Sequence, residues 1–137
     1  MRATILQRFN LHARPYFPGD MGFRVVDVRQ GYARLVTEST DAHSNPHGVM
    51  HGGASFGLAD TAVAAALLPI YGADHLLLTI EMTINYLEPI PQGEVIAEAY
   101  VLRSSRRSAY AEVDLWAGGK LAARASTTYM IKPLAAS

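Results

Sequence analysis

The chain has 137 residues, 50% of them hydrophobic and 18% charged, with twelve basic residues balancing twelve acidic ones and no cysteine. A chain of this length can bury about two-thirds of its unfolded surface in one domain, here expected over 1–137 with an extension at 1–21 and a core at 22–131. The neutral balance offers no field to nucleic acid or an anionic membrane surface, and the missing cysteine removes disulfides, thiol nucleophiles and Cys-based zinc sites, as suits a cytoplasmic protein.

In chain order, residues 3–11 place Ile5, Leu6 and Phe9 on one side of a short amphipathic helix, with His12 beside them, which Pro15 and Pro18 then break. The N-terminal stretch MRATILQRFNLHARPYF holds no sustained apolar run, so the protein is expected to be soluble and unexported. Phe23–Arg29 and Tyr32–Glu38 read as two strands of a hairpin turning at Gln30-Gly31. A loop follows from Ser39 to Met50. Ala54–Leu68, ASFGLADTAVAAALL, then reads as a helix whose only charge is Asp60 and which should be buried on every side. The longest apolar run, Thr61–Ala73, contains Pro69 and is too short to span a bilayer, so no membrane partner is expected.

Four strand-like runs complete the chain, at about 75–87, 94–103, 108–117 and 120–131. Their short connections, Pro89 to Gly93, an Arg/Ser loop and Gly118-Gly119, predict antiparallel neighbours. Period-two inner faces are Val95, Ala97, Ala99 and Val101; Ala109, Ala111, Val113 and Leu115; and Leu121, Ala123, Ala125 and Thr127. Small side chains dominate these faces and the helix, which lets the backbones approach closely. The expected fold class is α+β, one central helix wrapped by one curved antiparallel sheet.

Asp60 is the residue that needs explaining, because an ionised carboxylate costs several kcal/mol to bury without partners. Its own helix face offers Gly53, Phe56, Gly57, Val63, Ala64 and Leu67, none able to neutralise it, so the partner must come from elsewhere. Asp60 either caps buried backbone or does chemistry. Gly52-Gly53 open the helix, and its free N–H groups with the positive dipole end favour an oxyanion. About 10–12 Å of helix separates that start from Asp60, too far for both to grip one reacting carbon within a single chain. Two chains with antiparallel helices side by side would bring one helix start to the other's Asp60.

His43, His47 and His51 recur every four residues, but Pro46 and Gly48 prevent the continuous helix that would gather them, so no metal is expected. His51 is read as orienting the loop or a substrate carbonyl. Asn45 before Pro46 can simply hold a turn, and Thr79 can simply be a strand residue. The cluster Arg103-Ser104-Ser105-Arg106-Arg107 is either solvated charge or a cradle for phosphate groups.

These residues together resemble a hot-dog-fold acyl-CoA thioesterase of the phenylacetate-degradation type, similar also to the mammalian mitochondrial-associated thioesterase of the same superfamily. The resemblance runs from about Gly22 to Ile131. It rests on N-x-x-G-x-x-H-G-G-x-x-x-x-x-x-D, present as Asn45, Gly48, His51, Gly52, Gly53 and Asp60, followed by Thr79 and the Tyr86-Leu87-Glu88-Pro89 corner. It implies that the Gly52 N–H polarises the thioester carbonyl, with Asn45 assisting. Asp60 of a neighbouring subunit would activate water or attack directly, Thr79 would place the water or the carboxylate, and His51 would shape the loop or touch the carbonyl. Gly53, Arg103, Ser105, Arg106 and Arg107 would bind the substrate, although Ser104-Ser105 stand where many relatives have a glycine beside the basic residue. No separate cofactor is implied, coenzyme A being part of the substrate, and the expected assembly is a homodimer with shared sites, pairing into a homotetramer. The alternative is a module of the same fold that binds acyl-CoA without cleaving it. Hydratase chemistry would ask for a paired Asp and His within one catalytic loop; here His51 precedes a glycine pair and Asp60 lies on the helix, a poorer match.

Overall fold

The computed structural model describes Asn10 and residues 15–134, and the helix expected over 3–11 lies outside the described residues but for Asn10. The described elements are α1 (Phe17–Asp20), β1 (Arg24–Arg29), β2 (Tyr32–Ser39), a 3-10 turn (Asp41–His43), α2 (Gly52–Tyr71), β3 (His75–Tyr86), β4 (Gly93–Ser104), β5 (Ser108–Ala117) and β6 (Lys120–Pro133). The strands form one antiparallel sheet in the order β1-β2-β4-β5-β6-β3, curled around α2. Strands alternate inward and outward as expected. Hairpins join β1 to β2, β4 to β5 and β5 to β6. The last turns on Gly118 and Gly119 at φ 56° and 78°, the left-handed pair that a two-residue hairpin loop asks for.

One adjacency differs from the sequence reading. β3 does not pair with β4 across the Pro89–Gly93 connection; it crosses to the far edge and pairs with β6. A link of six residues can extend about 20 Å, while three strand spacings are only about 14 Å, so a short connection does not force neighbours. The link passes beneath the loop before α2, where Ile90 accepts the Met50 N–H at 2.8 Å. β3 therefore forms one edge of the sheet.

The core lies between α2 and the sheet. Leu58, Ala59, Ala62, Val63, Ala66 and Leu67 of the helix expose nothing, against Ala97, Ala99, Val113 and Ala123 of the strands, also at 0%. Alanine on both sides lets helix and sheet approach to backbone distance, and the larger Leu58 and Leu67 supply about 1.5–3 kcal/mol each by burial. Two inner positions are displaced by irregularities in register. The shift between Leu115 and Trp116 turns Ala122 inward, so Leu121 is only partly buried; the shift between Val101 and Arg103 does the same to Val101.

The helix also departs from expectation at its end and on one face. It runs through Pro69 to Tyr71 and stops at Gly72, whose N–H reaches the Leu68 carbonyl at 2.8 Å. Proline is tolerated because only the last turn loses a bond. At 20 residues and mean hydropathy 1.5 it is long and apolar enough to cross a bilayer, longer than the Thr61–Ala73 run suggested, yet it is the core helix of the sheet. Nor is it buried on every side: Gly53 and Phe56 are exposed, and Gly57, Asp60, Thr61 and Ala64 are half-buried. That stripe of the helix is left uncovered by the chain's own sheet.

Candidate active site

The loop before α2 is tied down by His43, which is 7% exposed. Its Nδ1 accepts the Thr40 N–H at 3.0 Å, so Nε2 carries the proton and donates to the Met21 carbonyl at 2.6 Å. Its own carbonyl accepts the His51 N–H at 2.7 Å. Asn45 holds a turn closed by the Gly48 N–H at 3.0 Å, and its Oδ1 accepts from the His47 N–H at 2.9 Å. The Asn45 backbone N–H donates to the Val49 carbonyl at 2.9 Å, and its side-chain Nδ2 has no acceptor among the described residues. His47 is exposed and far less constrained than His43. Among the described residues, no three His, Asp or Glu side chains converge in a way that could hold a metal ion.

These contacts deliver the chain to the helix start, where His51 is the N-cap in extended backbone. Its Nδ1 accepts the Gly53 N–H at 2.8 Å, and its carbonyl accepts from Ala54 and Ser55 at 2.9 and 3.2 Å. The Ser55 bond is the helix's own first turn, and of the four amides that a helix leaves open, those of His51, Gly53 and Ala54 are occupied. The Gly52 N–H alone has no partner among the described residues. What Gly53 offers a ligand is its bare Cα rather than its amide, and a Cβ there would stand 3.0 Å from the His51 ring. Tyr86, on β3, donates to the Gly52 carbonyl at 2.7 Å, and a Cβ at Gly52 would meet that hydroxyl at 3.1 Å.

Asp60 sits two turns further on, half-buried at the edge of the uncovered stripe. Its partners come from two strands. Thr79 of β3 donates to Oδ1 at 2.6 Å, and Tyr129 of β6 donates to the same oxygen at 2.5 Å and to the Asp60 carbonyl at 2.9 Å. Thr79 and Tyr129 stand directly opposite each other in the β3–β6 ladder. The register shift between Thr79 and Glu81 makes Ile80 a bulge, which lets Leu77 and Thr79 before it and Met82 and Ile84 after it face the helix. Burial pushes the Tyr129 phenol far above its ordinary pKa, and the neighbouring Asp60 charge and hydrogen bond add to the shift.

Tyr129 is the site residue that sequence reasoning missed. The inner-face series Leu121, Ala123, Ala125, Thr127 reaches it in one more step of two. Thr79 carried no signal of its own beyond the family motif.

Two clefts flank the helix start. One, of about 350 Å³, is lined by Met50, Gly52, Ser55, Tyr86, Leu87, Glu88, Pro89 and Ile90. The other, of about 260 Å³, runs between Phe17, Met21, His43, His51 and Gly53. Met50 and Tyr86 thus line the first cleft, whereas Leu58 of α2 is sealed in the core. A larger cavity of about 540 Å³ around Trp116 and Glu98 holds none of the candidate residues.

The arginine cluster is brought to neither cleft. Arg103 is the penultimate residue of β4, while Ser105, Arg106 and Arg107 form an exposed hairpin tip at the other end of α2. Tyr71 fixes it by donating to the Ser105 carbonyl at 2.6 Å. None of the three arginines makes an ion pair among the described residues.

Comparison with known proteins decides the family: the profile of the thioesterase superfamily matches residues 47–123, the stretch that holds the loop, the helix and β3. The chain belongs to the thioesterase superfamily. It is similar to human acyl-coenzyme A thioesterase 13, 35% identical over 92 residues covering 64% of each chain. It is 33% identical over 87 residues to a protein of Archaeoglobus fulgidus named as an esterase, covering 63% of this chain and only 54% of that one. The chain thus spans between half and two-thirds of the length of these relatives. Among solved structures it resembles the phenylacetic acid degradation protein PaaI of Thermus thermophilus, with TM-score 0.77 and 30% identity over 83% of this chain and 96% of that one. The curled antiparallel sheet around one helix is therefore the hot-dog fold of this superfamily.

Proposed function

We propose that the chain hydrolyses the thioester of an aromatic or medium-chain acyl-CoA, giving the free acid and coenzyme A, at a site shared between two copies. The reading is supported above all by the separation of the two chemical groups. The unpartnered Gly52 N–H and Asp60 lie eight residues apart on one helix, about 12 Å along its axis, so they cannot meet at one carbon within a chain. The sheet leaves the stripe between them open: Gly53 and Phe56 are exposed, and Gly57 carries the Phe17 ring. A second, antiparallel α2 laid along it would set each Gly52 amide against the other copy's Asp60. β3 favours the same arrangement: it is a twelve-residue edge strand, with Leu76 and Leu78 each 41% and Ile80 59% exposed, and long apolar edges call for a covering partner.

In this site the thioester oxygen accepts from the Gly52 N–H at the positive end of α2, with the side-chain amide of Asn45 assisting. Asp60 takes a proton from water as the water attacks the carbonyl carbon, or attacks that carbon itself; both fit the geometry. Collapse of the tetrahedral intermediate breaks the carbon–sulfur bond and the sulfur leaves as thiolate. After water attack this yields the free acid, whereas after attack by Asp60 it leaves an acyl–aspartyl anhydride that water then hydrolyses to the acid and the restored carboxylate. In both routes the thiolate takes up the proton that the water gives up. Thr79 stands where it can hold either the water or the carboxylate. The apolar cleft of Met50, Tyr86, Leu87 and Ile90 would take the acyl group. Pairing of dimers would cover Leu102, Tyr110 and Met130, exposed on strands β4 to β6.

The position of the arginine tip sorts the subunits further. Tyr71, which anchors it, is about 28 Å along the helix from its own Gly52 but about 16 Å from Asp60. The phosphates of one coenzyme A would therefore meet the arginines of the chain that supplies Asp60. Replacing Arg106 and Arg107 together by Ala is expected to raise KM roughly tenfold with kcat nearly unchanged. The same variant should treat an acyl-pantetheine, which lacks the nucleotide phosphates, as the parent does.

The test of the function is release of free thiol from a panel of aromatic and straight-chain acyl-CoA esters. Hydrolysis of at least one is expected. Tight binding without thiol release would replace the enzyme by a binding module.

A further inference from the structure

We infer that Tyr129 is a positioning residue that selects which oxygen of Asp60 performs the chemistry; the inference rests on the thioesterase reading of Asp60. Tyr129 is 2% exposed, so no substrate reaches it. Its hydroxyl lies against both the carboxylate Oδ1 and the carbonyl oxygen of Asp60. One phenol thus spans side chain and backbone of a single residue, which holds the carboxylate in one rotamer.

Thr79 donates to the same Oδ1. Two hydroxyl donors fill the two lone-pair positions of that oxygen. Oδ2 has no donor among the described residues and keeps both of its own. The carboxylate is therefore presented with one oxygen tied to the sheet and the other open to a reacting molecule. The two donors are not equivalent. Thr79 is exposed on the edge strand and its hydroxyl can turn to a water; the Tyr129 ring is locked in the core, and its proton is shared between the Oδ1 and the carbonyl oxygen of the one residue Asp60. Because the phenol stays protonated across any working pH, the tie does not loosen as conditions change.

Steady-state hydrolysis by Tyr129→Phe, by Asp60→Asn and by the double variant tests this, with a thermal melt of each. Phenylalanine keeps the ring and its packing. The expected result is a folded protein whose kcat falls about ten- to a hundredfold, the loss of one hydrogen bond to a charged group, with KM within twofold of the parent. In the Asp60→Asn background the same change should alter the residual rate by less than about twofold, since Tyr129 acts only through the carboxylate. A kcat within twofold of the parent overturns the inference, as does a parallel rise in KM or an equal loss in the Asp60→Asn background, either of which marks a merely structural role. Should Tyr129→Phe fail to fold, 3-fluorotyrosine at position 129 keeps the shape and alters the donor, and must still change kcat while leaving KM alone; no change overturns the inference. Full activity in Asp60→Asn would bring down the reading of Asp60 and this inference with it, whereas a silent Tyr129→Phe beside an inactive Asp60→Asn removes this inference only.

Discussion

Asp60→Asn is expected to fold and assemble as the parent does and to lose at least about a hundredfold in thiol release, the usual contribution of a positioned base or nucleophile. The fold should survive because asparagine can present its carbonyl oxygen to the Thr79 and Tyr129 hydroxyls that now hold Oδ1. It would then place an amide nitrogen where Oδ2 stands, and that nitrogen has no lone pair fit to take a proton or attack a carbonyl. Thermal melting and turnover on the best ester of the panel check both halves. A variant that turns over like its parent would take Asp60 out of the mechanism.

The second large effect is expected from Gly52→Pro, which deletes the one unoccupied amide at the helix start. Removing a single oxyanion donor costs a factor of roughly a hundred to a thousand in kcat. The position accepts proline on backbone grounds. It is the first helical residue, where the ring matches helical φ and the lost N–H serves no intrahelical bond, and His51 before it has φ −62° and ψ 136°, the extended region that proline imposes on its predecessor. Tyr86 must shift its hydroxyl by a few tenths of an ångström, and it is 52% exposed and free to do so. Gly52→Ala is the control: it crowds Tyr86 in the same way but keeps the N–H, and should lose far less. If proline and alanine lower kcat equally, crowding rather than the missing donor explains the loss.

Much of this was legible in the sequence, because period and turn chemistry are local signals. Six strands and the long helix lie within a few residues of where alternation, glycine pairs and apolar runs place them. What escaped was set at a distance. The crossing of β3 to the far edge depends on how far six residues can stretch, and the length of the Pro89–Gly93 link does not reveal its direction. The uncovered stripe from Gly53 to Ala64 was read as buried because hydropathy records that a face avoids water without saying whether its own sheet or another copy covers it. At the site, Asp60 and the Gly52-Gly53 pair stand out as a charge in an apolar helix and a bare helix start. Thr79 and Tyr129 could be joined to Asp60 only through the β3–β6 register and the bulge at Ile80, neither of which is written in a local pattern. His51 shows the opposite case: a residue read as touching the loop or the substrate also consumes the neighbouring amide, and so leaves Gly52 as the open donor.

The claim on which the rest depends is that each site takes its amide from one copy and its carboxylate from another. Mixing the two disabled chains tests it most directly. Asp60→Asn retains an intact Gly52, and Gly52→Pro retains an intact Asp60, so a mixed pair would contain one complete site and one doubly defective site. Co-expression, with separation of the mixed pair by two different affinity tags, should restore thiol release to about half that of the parent, from two chains each nearly inert alone. A purified mixed pair that stays as inactive as its components would show that both groups act within one chain or not at all, and would contradict the account.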